Sequence, residues 1–78
     1  QVEQIEQLLA REFAECEIQV ASDGSHVDIT IVGEVFAGLR PVRKQQMVYA
    51  VLNEHIASGE IHAVNMTTAT PAEWASRA

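Results

Sequence analysis

Two of the three histidines of the chain open its two most strand-like stretches, and imidazole is a common metal ligand. His26 begins residues 26–32, and His62 lies near the start of residues 60–70. If these stretches are neighbouring parallel strands, their first residues share one end of a sheet, with the strands about 4.8 Å apart. We therefore predict that His26 and His62 together bind a metal ion or one edge of a metal cluster. The alternative is that His26 is a solvated turn residue and His62 a half-buried residue with no ligand.

A second candidate site is a cluster of cations, which holds three of the five Lys and Arg residues: Arg40, Arg43 and Lys44. The cluster lies where a helix is predicted to begin, and backbone N–H groups at helix starts attract anions. Cations oppose the helix dipole there, so a binding role would explain them. A carboxylate-bearing partner, glutathione or phosphate would suit the position. Solvated surface charge is the alternative.

The remaining reactive side chains do not form a catalytic pattern. Cys16 is the single cysteine, so it has no partner for an internal disulfide. We predict that it packs in a helix-to-strand connection, with a metal ligand or redox thiol as the alternative. His55 falls on the apolar face of its helix and is predicted to pack there. Since the sequence has no nucleophile–base pattern, phosphate-binding glycine loop or CxxC pair, no enzymatic activity is predicted.

Hydrophobic periodicity predicts a helix and then a β-hairpin in the first part of the chain. Apolar residues recur every three or four positions over residues 2–14, as in an amphipathic helix. Residues 17–22 and 26–32 alternate apolar and polar side chains, and the Asp-Gly pair between them favours a tight turn at residues 22–25. The apolar face of the second strand, which His26 does not share, consists of Val27, Ile29 and Ile31.

Helical segments are predicted between the second strand and a third one. Residues 36–39 resemble a short helical turn, and residues 42–57 a longer helix that ends at Ser58-Gly59. A connection of this length can return the chain so that the next strand runs parallel to the second. This arrangement brings the beginnings of the two strands together.

The third strand is predicted to start at about Ile61, with Val64 and Met66 in the core. A capping-box sequence then runs from Thr70 to Glu73, with proline at the first helical position. It predicts a short final helix that is capped by Thr70 and buries Trp74.

Length and composition indicate one small domain over residues 1–78, in which 47% of the residues are hydrophobic and 21% are charged. The predicted helices and strands place this domain in the α+β class. A net charge of −6 disfavours general binding to nucleic acid. No apolar run approaches the length of a membrane span, and no signal-peptide pattern is present. A small domain with a lone cysteine suits a reducing compartment, so we expect a cytoplasmic location.

Several motifs together resemble the BolA-like family. They are the segment FAGLRPVRKQQMVY at residues 36–49, IHA at residues 61–63, TPAEW at residues 70–74 and DGSH at residues 23–26. The Lys44-Gln45-Gln46 sequence and the closing TPAEW look most like the bacterial IbaG branch. The resemblance extends over nearly the whole chain.

The resemblance implies an α-β-β-α-α-β-α fold, with a three-stranded mixed sheet packed by helices as in class II KH domains, and no enzyme activity. Such proteins pair with monothiol glutaredoxins and share a bridging [2Fe–2S] cluster in iron–sulfur trafficking and iron homeostasis. His62 matches the histidine of the family's I-H-A motif, and His26 matches the second ligand position of the histidine-type branch. The glutaredoxin cysteine and glutathione would supply the other ligands. We expect the isolated chain to hold no cofactor and to be a monomer or weak homodimer.

Two departures from the family pattern limit what can be transferred. Many members have Arg-His where this chain has Lys44-Gln45, so no role tied to that histidine is expected here. Cys16 lies before the first strand, outside the loop in which the cysteine-type branch carries its ligand, and it is not counted as a ligand.

Nucleic-acid binding is the alternative function, because some BolA-like proteins are described as transcription regulators. The helix-turn-helix-like segment 36–56 carries the basic cluster. No GXXG loop is visible between the helices, so the KH resemblance adds little support, and only weak DNA binding is expected. A third possibility is an interaction module in which the histidines bind nothing.

Overall fold

The computed structural model describes residues 2–23, 26–59 and 63–76. The elements follow one another in the order α-β-β-3₁₀-α-β-α. Their bounds are α1 Val2–Glu12, β1 Glu17–Asp23, β2 His26–Val32, a 3₁₀ turn Glu34–Phe36, α2 Pro41–Ala57, β3 Ala63–Ala69 and α3 Pro71–Ser76. The predicted α+β class is confirmed. No helix in these three ranges is both long enough and apolar enough to cross a membrane.

The three strands form one mixed sheet in the order β1-β2-β3. β1 pairs antiparallel with β2, and Asp23 lies opposite His26 at the closed end of the hairpin. β2 pairs parallel with β3, as the length of the helical connection predicted. The predicted turn residues Gly24 and Ser25 and the predicted strand start at Ile61 lie outside the described residues.

The core lies between one face of the sheet and helices α1 and α2. Period-2 alternation in β2 directs every second side chain to this face, while apolar residues at helical spacing supply the opposite layer. The buried cluster consists of Ile5, Leu9, Phe13, Val27, Ile29, Ile31, Phe36, Val48 and Leu52. Val64 and Met66, which were predicted for the core, are half-buried and pack against it.

The segment after β2 differs from its prediction. A 3₁₀ turn over Glu34–Phe36 replaces the helical turn that was expected at residues 36–39. Phe36 is fully buried, and its ring centroid lies 5.9 Å from that of Phe13. Gly38 has a φ of +75°, a left-handed conformation that ends the turn and that glycine adopts without steric cost. Pro41 then begins α2. The first N–H groups of a helix have no acceptor within the helix, so the N–H that proline lacks costs no hydrogen bond at this position.

The capping box at α3 is present as predicted. The Thr70 N–H donates to the Glu73 carboxylate at 2.8 Å, and the Glu73 N–H donates to the Thr70 hydroxyl at 3.2 Å. The predicted burial of Trp74 is wrong, because this side chain is only half-buried and no residue of α3 is fully buried. The six-residue helix follows β3 directly at the end of the sheet, so the indole forms one wall of an open cleft there.

Candidate metal and partner-binding sites

His26 is the first residue of the central strand, and its side chain is exposed. It lies on the sheet face opposite the core, because the next residue, Val27, points into the core. In the parallel register His26 lies directly opposite Ala63. Ala63 follows His62 in the sequence, but His62 itself lies outside the described residues. The structure thus defines the surroundings of one of the two predicted ligands.

The outer face of the sheet around His26 is polar. Asp23 lies opposite His26 in the antiparallel register, and Asp28 lies two residues further along β2 on the same face. Asn65 Nδ2 donates a hydrogen bond of 3.0 Å to Asp28 Oδ1. Asp28 and Asn65 are the next pair of opposite residues on the same face after His26 and Ala63. Their hydrogen bond therefore stabilises the pairing of β2 with β3 on which the candidate site depends.

No group of three or more His, Cys, Asp or Glu side chains in the described part of the chain could by itself hold a metal ion. The histidine prediction requires fewer ligands from this chain, since the other ligands would come from a partner. His55, the third histidine, is half-buried on α2, and the carbonyl of this residue accepts a hydrogen bond of 3.1 Å from the Ser58 hydroxyl.

The cationic cluster surrounds the first turn of α2. Arg40 is the N-cap residue, and its carbonyl accepts the N–H groups of Arg43 at 3.0 Å and Lys44 at 3.1 Å. Arg40 and Arg43 are exposed, whereas the Lys44 side chain is only 13% exposed and its Nζ lies 3.8 Å from Glu73 Oε1. Two of the three predicted anion-binding side chains therefore face solvent, and the third forms an ion pair with α3.

Glu73 joins the cluster to the end of the sheet. The Thr70 backbone N–H lowers the pKa of the Glu73 carboxyl below its usual value, and the Lys44 ammonium lowers this pKa further. Both interactions stabilise the carboxylate form. Lys44 thus connects the start of α2 with the start of α3.

The histidine position and the cationic cluster lie at opposite ends of the sheet. His26 begins β2, whereas Lys44 contacts the helix that follows the end of the parallel strand β3. The seven residues of β2 span about 20 Å. The structure therefore does not bring these two predicted sites together.

Cys16 packs in the connection between α1 and β1, as predicted. It is half-buried against the core cluster, and its N–H donates to the Phe13 carbonyl at 3.0 Å. Its Sγ lies so close to the Cα of Gly33 that a Cβ at residue 33 would overlap it. Burial raises the pKa of the Cys16 thiol, and the neighbouring Glu15 carboxylate raises it further, which favours the unreactive protonated form.

An open cleft of about 820 Å³, which no sequence motif predicted, lies at the end of β2 remote from His26. Its lining combines apolar side chains with four glutamates: Glu12, Glu15, Glu17 and Glu34. The concentration of acidic residues around Cys16 was visible in the sequence. Only the fold, however, brings Glu34 and Trp74 to the same place.

Comparisons with known proteins agree with this architecture. The family profile described as BolA-like protein matches residues 8–73. The acid stress protein IbaG of Escherichia coli K12 is 46% identical over 72 residues, which are 92% of this chain and 86% of that protein.

Two solved structures have the same fold. BolA1 from Arabidopsis thaliana superposes with a TM-score of 0.81 at 26% identity, covering 92% of this chain and 93% of that one. The BolA domain of SufE1 from the same plant gives a TM-score of 0.79 at 28% identity, covering 92% of this chain and 93% of that one. These matches confirm the resemblance that the motifs indicated: this chain belongs to the BolA-like family.

Proposed function

We propose that this protein binds a monothiol glutaredoxin in the cytoplasm and shares with it a bridging [2Fe–2S] cluster, in a non-catalytic role in iron–sulfur trafficking and iron homeostasis. His26 and His62 are the ligands from this chain. The parallel register of His26 with Ala63, the residue that follows His62, is the observation that carries the proposal. Membership of the BolA-like family supports it, because the histidine positions match the pattern of its histidine-type branch.

The donor set suits such a cluster. Besides its bridging sulfides, a [2Fe–2S] centre takes four ligands, and two imidazoles can replace two thiolates on one iron. The glutaredoxin cysteine and glutathione would supply the two thiolates. The two imidazoles raise the reduction potential above that of an all-thiolate centre.

The surroundings of His26 suit a ligand that must meet a second protein. Its exposed side chain lies at the rim of the sheet, where a partner can approach without unfolding any element. The antiparallel and parallel pairings on either side of β2 hold its backbone in place. A ligand imidazole must be neutral, so acid should weaken the shared site.

Co-expression with a monothiol glutaredoxin tests the proposal. We expect a coloured heterodimer whose visible absorption and circular dichroism bands change in His26→Ala and in His62→Ala. His55→Ala is the matched control, because it removes a histidine that has no role in the proposal. Its complex should keep the wild-type spectrum.

Two results would contradict the proposal in different ways. If the heterodimer forms but both variants keep the wild-type spectrum, the histidines are not the ligands. If no cluster absorption accompanies the complex under anaerobic reconstitution with iron, sulfide and glutathione, the shared cluster is wrong.

Nucleic-acid binding has one favourable observation, the exposure of Arg40 and Arg43 at the start of α2. The ion pair of Lys44 with Glu73 and the net charge of −6 both oppose it, since phosphate backbones are drawn to unpaired cations. Gel-shift titration at low salt tests this alternative. Retardation that Arg40→Ala and Arg43→Ala abolish would support it, and absence of retardation would exclude it.

A further inference from the structure

The cleft at the end of β2 has features that the proposed function does not use. Its volume of about 820 Å³ lies in the range of protein sites that hold small molecules or a few side chains. We propose that this acidic cleft binds a basic, amphipathic peptide segment of a partner protein. In this complex a Lys or Arg side chain lies among the glutamates, and an apolar side chain packs on the cleft floor.

The negative charge of the cleft favours a positively charged ligand. Glu12, Glu15, Glu17 and Glu34 are all exposed at its wall, and no Lys or Arg is found among the described residues that line it. Four carboxylates around one concavity repel each other, and a cleft focuses their field. A positively charged ligand relieves this repulsion, whereas nucleic acid and acidic peptides increase it.

The floor of the cleft is apolar and favours a ligand that also has an apolar group next to its positive charge. Phe13 and Val32 are buried beneath it, with 6% and 7% of their surfaces exposed. Trp74 is half-buried at the wall, and Val35 at the rim is 48% exposed, although valine usually prefers burial. An indole face also attracts the guanidinium and ammonium groups that the glutamates favour.

A peptide fits these two preferences better than an isolated cation does. A single ammonium or guanidinium group would contact the carboxylates but leave the floor exposed. A short segment that alternates basic and apolar residues satisfies both, and the open side of the cleft allows its backbone to continue on either side.

The cleft is separate from the histidine position. It lies at the last residues of β2, whereas His26 is the first, and the seven residues of this strand span about 20 Å. The proposal therefore does not rest on the cluster hypothesis, and the two can be tested independently.

The chain provides its own probes for the experiment. Trp74 is the only tryptophan, so intrinsic fluorescence reports on the cleft wall directly. Cys16 is the only cysteine and also lines the cleft, so protection of its thiol from iodoacetamide gives a second readout. The ligand is the synthetic peptide acetyl-Arg-Leu-Arg-Leu-Lys-amide, titrated at low and at physiological salt.

Three comparison ligands define what is recognised. One peptide has glutamate at each basic position, one has serine at each leucine position, and the third ligand is free arginine amide. We expect the basic amphipathic peptide to bind most tightly, to bind more weakly at the higher salt, and to slow alkylation of Cys16. Arginine amide binding as tightly as the peptide would overturn the peptide assignment in favour of a small cationic ligand.

Paired variants test the carboxylates. Glu17→Gln/Glu34→Gln removes two charges from the cleft, and we expect the peptide to bind about threefold to thirtyfold more weakly. Glu3→Gln/Glu54→Gln removes the same charge from positions outside the cleft and should bind as wild type. Equal affinities in the two variants, or no fluorescence change and no thiol protection with any peptide, would overturn the proposal.

A histidine variant completes the comparison. His26→Ala should bind the peptide with unchanged affinity, because His26 is not among the described residues that line the cleft. Loss of peptide binding in this variant would show that the cleft depends on the opposite end of β2 and would contradict the assignment.

Discussion

His26 lies directly opposite Ala63 where the parallel strands β2 and β3 begin their pairing. Ala63 directly follows His62 in the sequence. The shared-cluster proposal can therefore be tested by changing the type of ligand at residue 26 as well as by removing it.

His26→Cys should keep the shared cluster and lower its reduction potential, because a thiolate donates more charge to iron than an imidazole does. Potentiometric titration of the heterodimer, followed by its visible absorption, measures the change. Because residue 26 is exposed, the free energy of unfolding of the isolated variant should stay within about 0.5 kcal/mol of wild type. An unchanged potential would show that residue 26 does not bind the iron.

Gly33→Ala should destabilise the domain by about 1–3 kcal/mol, because the new methyl group would overlap the Cys16 thiol. The backbone at Gly33 is extended, with a φ of −171°, so crowding rather than backbone conformation is the cause. Urea denaturation followed by Trp74 fluorescence measures the loss.

The double variant Cys16→Ala/Gly33→Ala isolates that overlap. With Sγ removed, the added methyl group should cost less than it does in wild type, although Cys16 Cβ remains only 3.1 Å from its position. The single variant Cys16→Ala completes a double-mutant cycle, in which the free energies of unfolding of the four proteins are compared. Strict additivity of the two changes would show that the contact is not the source of the destabilisation.

Thr70→Ala should lower stability by about 1 kcal/mol, because the hydroxyl that accepts the Glu73 N–H is lost from the start of α3. Thr70→Ser keeps a hydroxyl at the same position and is the matched control. Thermal unfolding by circular dichroism compares the two. An equal loss in both variants would indicate that the threonine methyl group, and not the cap, matters.

The second hydrogen bond of the capping box, from the Thr70 N–H to the Glu73 carboxylate, should make the stability of the domain depend on pH. The pKa of Glu73 is lower in the folded protein than in the unfolded chain, so the folded state stabilises the carboxylate. The contribution of the Glu73 carboxylate to the free energy of unfolding is therefore fully present above the pKa that Glu73 has in the unfolded chain. This contribution is lost as the pH falls through the lower pKa of the folded protein. The stability difference between wild type and Glu73→Gln should shrink over this acidic interval in denaturation curves measured at several pH values. A difference that is independent of pH would contradict this account.

The Cys16 thiol should react slowly with iodoacetamide at mildly alkaline pH, because burial and Glu15 raise its pKa and so reduce the thiolate fraction. Glu15→Gln removes the smaller of the two causes and should increase the rate modestly. Glu3→Gln, a charge change at the far end of α1, should leave the rate unchanged. Rates equal to that of an unstructured cysteine peptide would contradict the prediction.

Local sequence signals predicted the parts of this fold that local interactions determine. Alternation in β2 identified its buried face, and the Thr70–Glu73 capping box marked the start of α3 within one residue. The parallel pairing of β2 and β3 followed from the length of the connection, since a short turn cannot reverse the chain direction twice.

Other features depend on packing that periodicity does not report. Trp74 was predicted to be buried by the final helix, yet a helix of six residues at the end of a sheet leaves it at a cleft wall. The cleft joins residues from both ends of the chain. The close approach of Cys16 to Gly33 likewise appears only when two distant segments are folded together.

The charges around α3 are arranged asymmetrically. Lys44 contacts Glu73 of this helix from the start of α2, where Arg40 and Arg43 are exposed. Trp74 of the same helix lines the cleft together with four glutamates. This end of the molecule therefore carries an electric dipole across a single short helix. The field of this dipole would orient an approaching protein that has its own separation of charge before the two proteins make contact. Added salt would screen the field and remove this electrostatic steering.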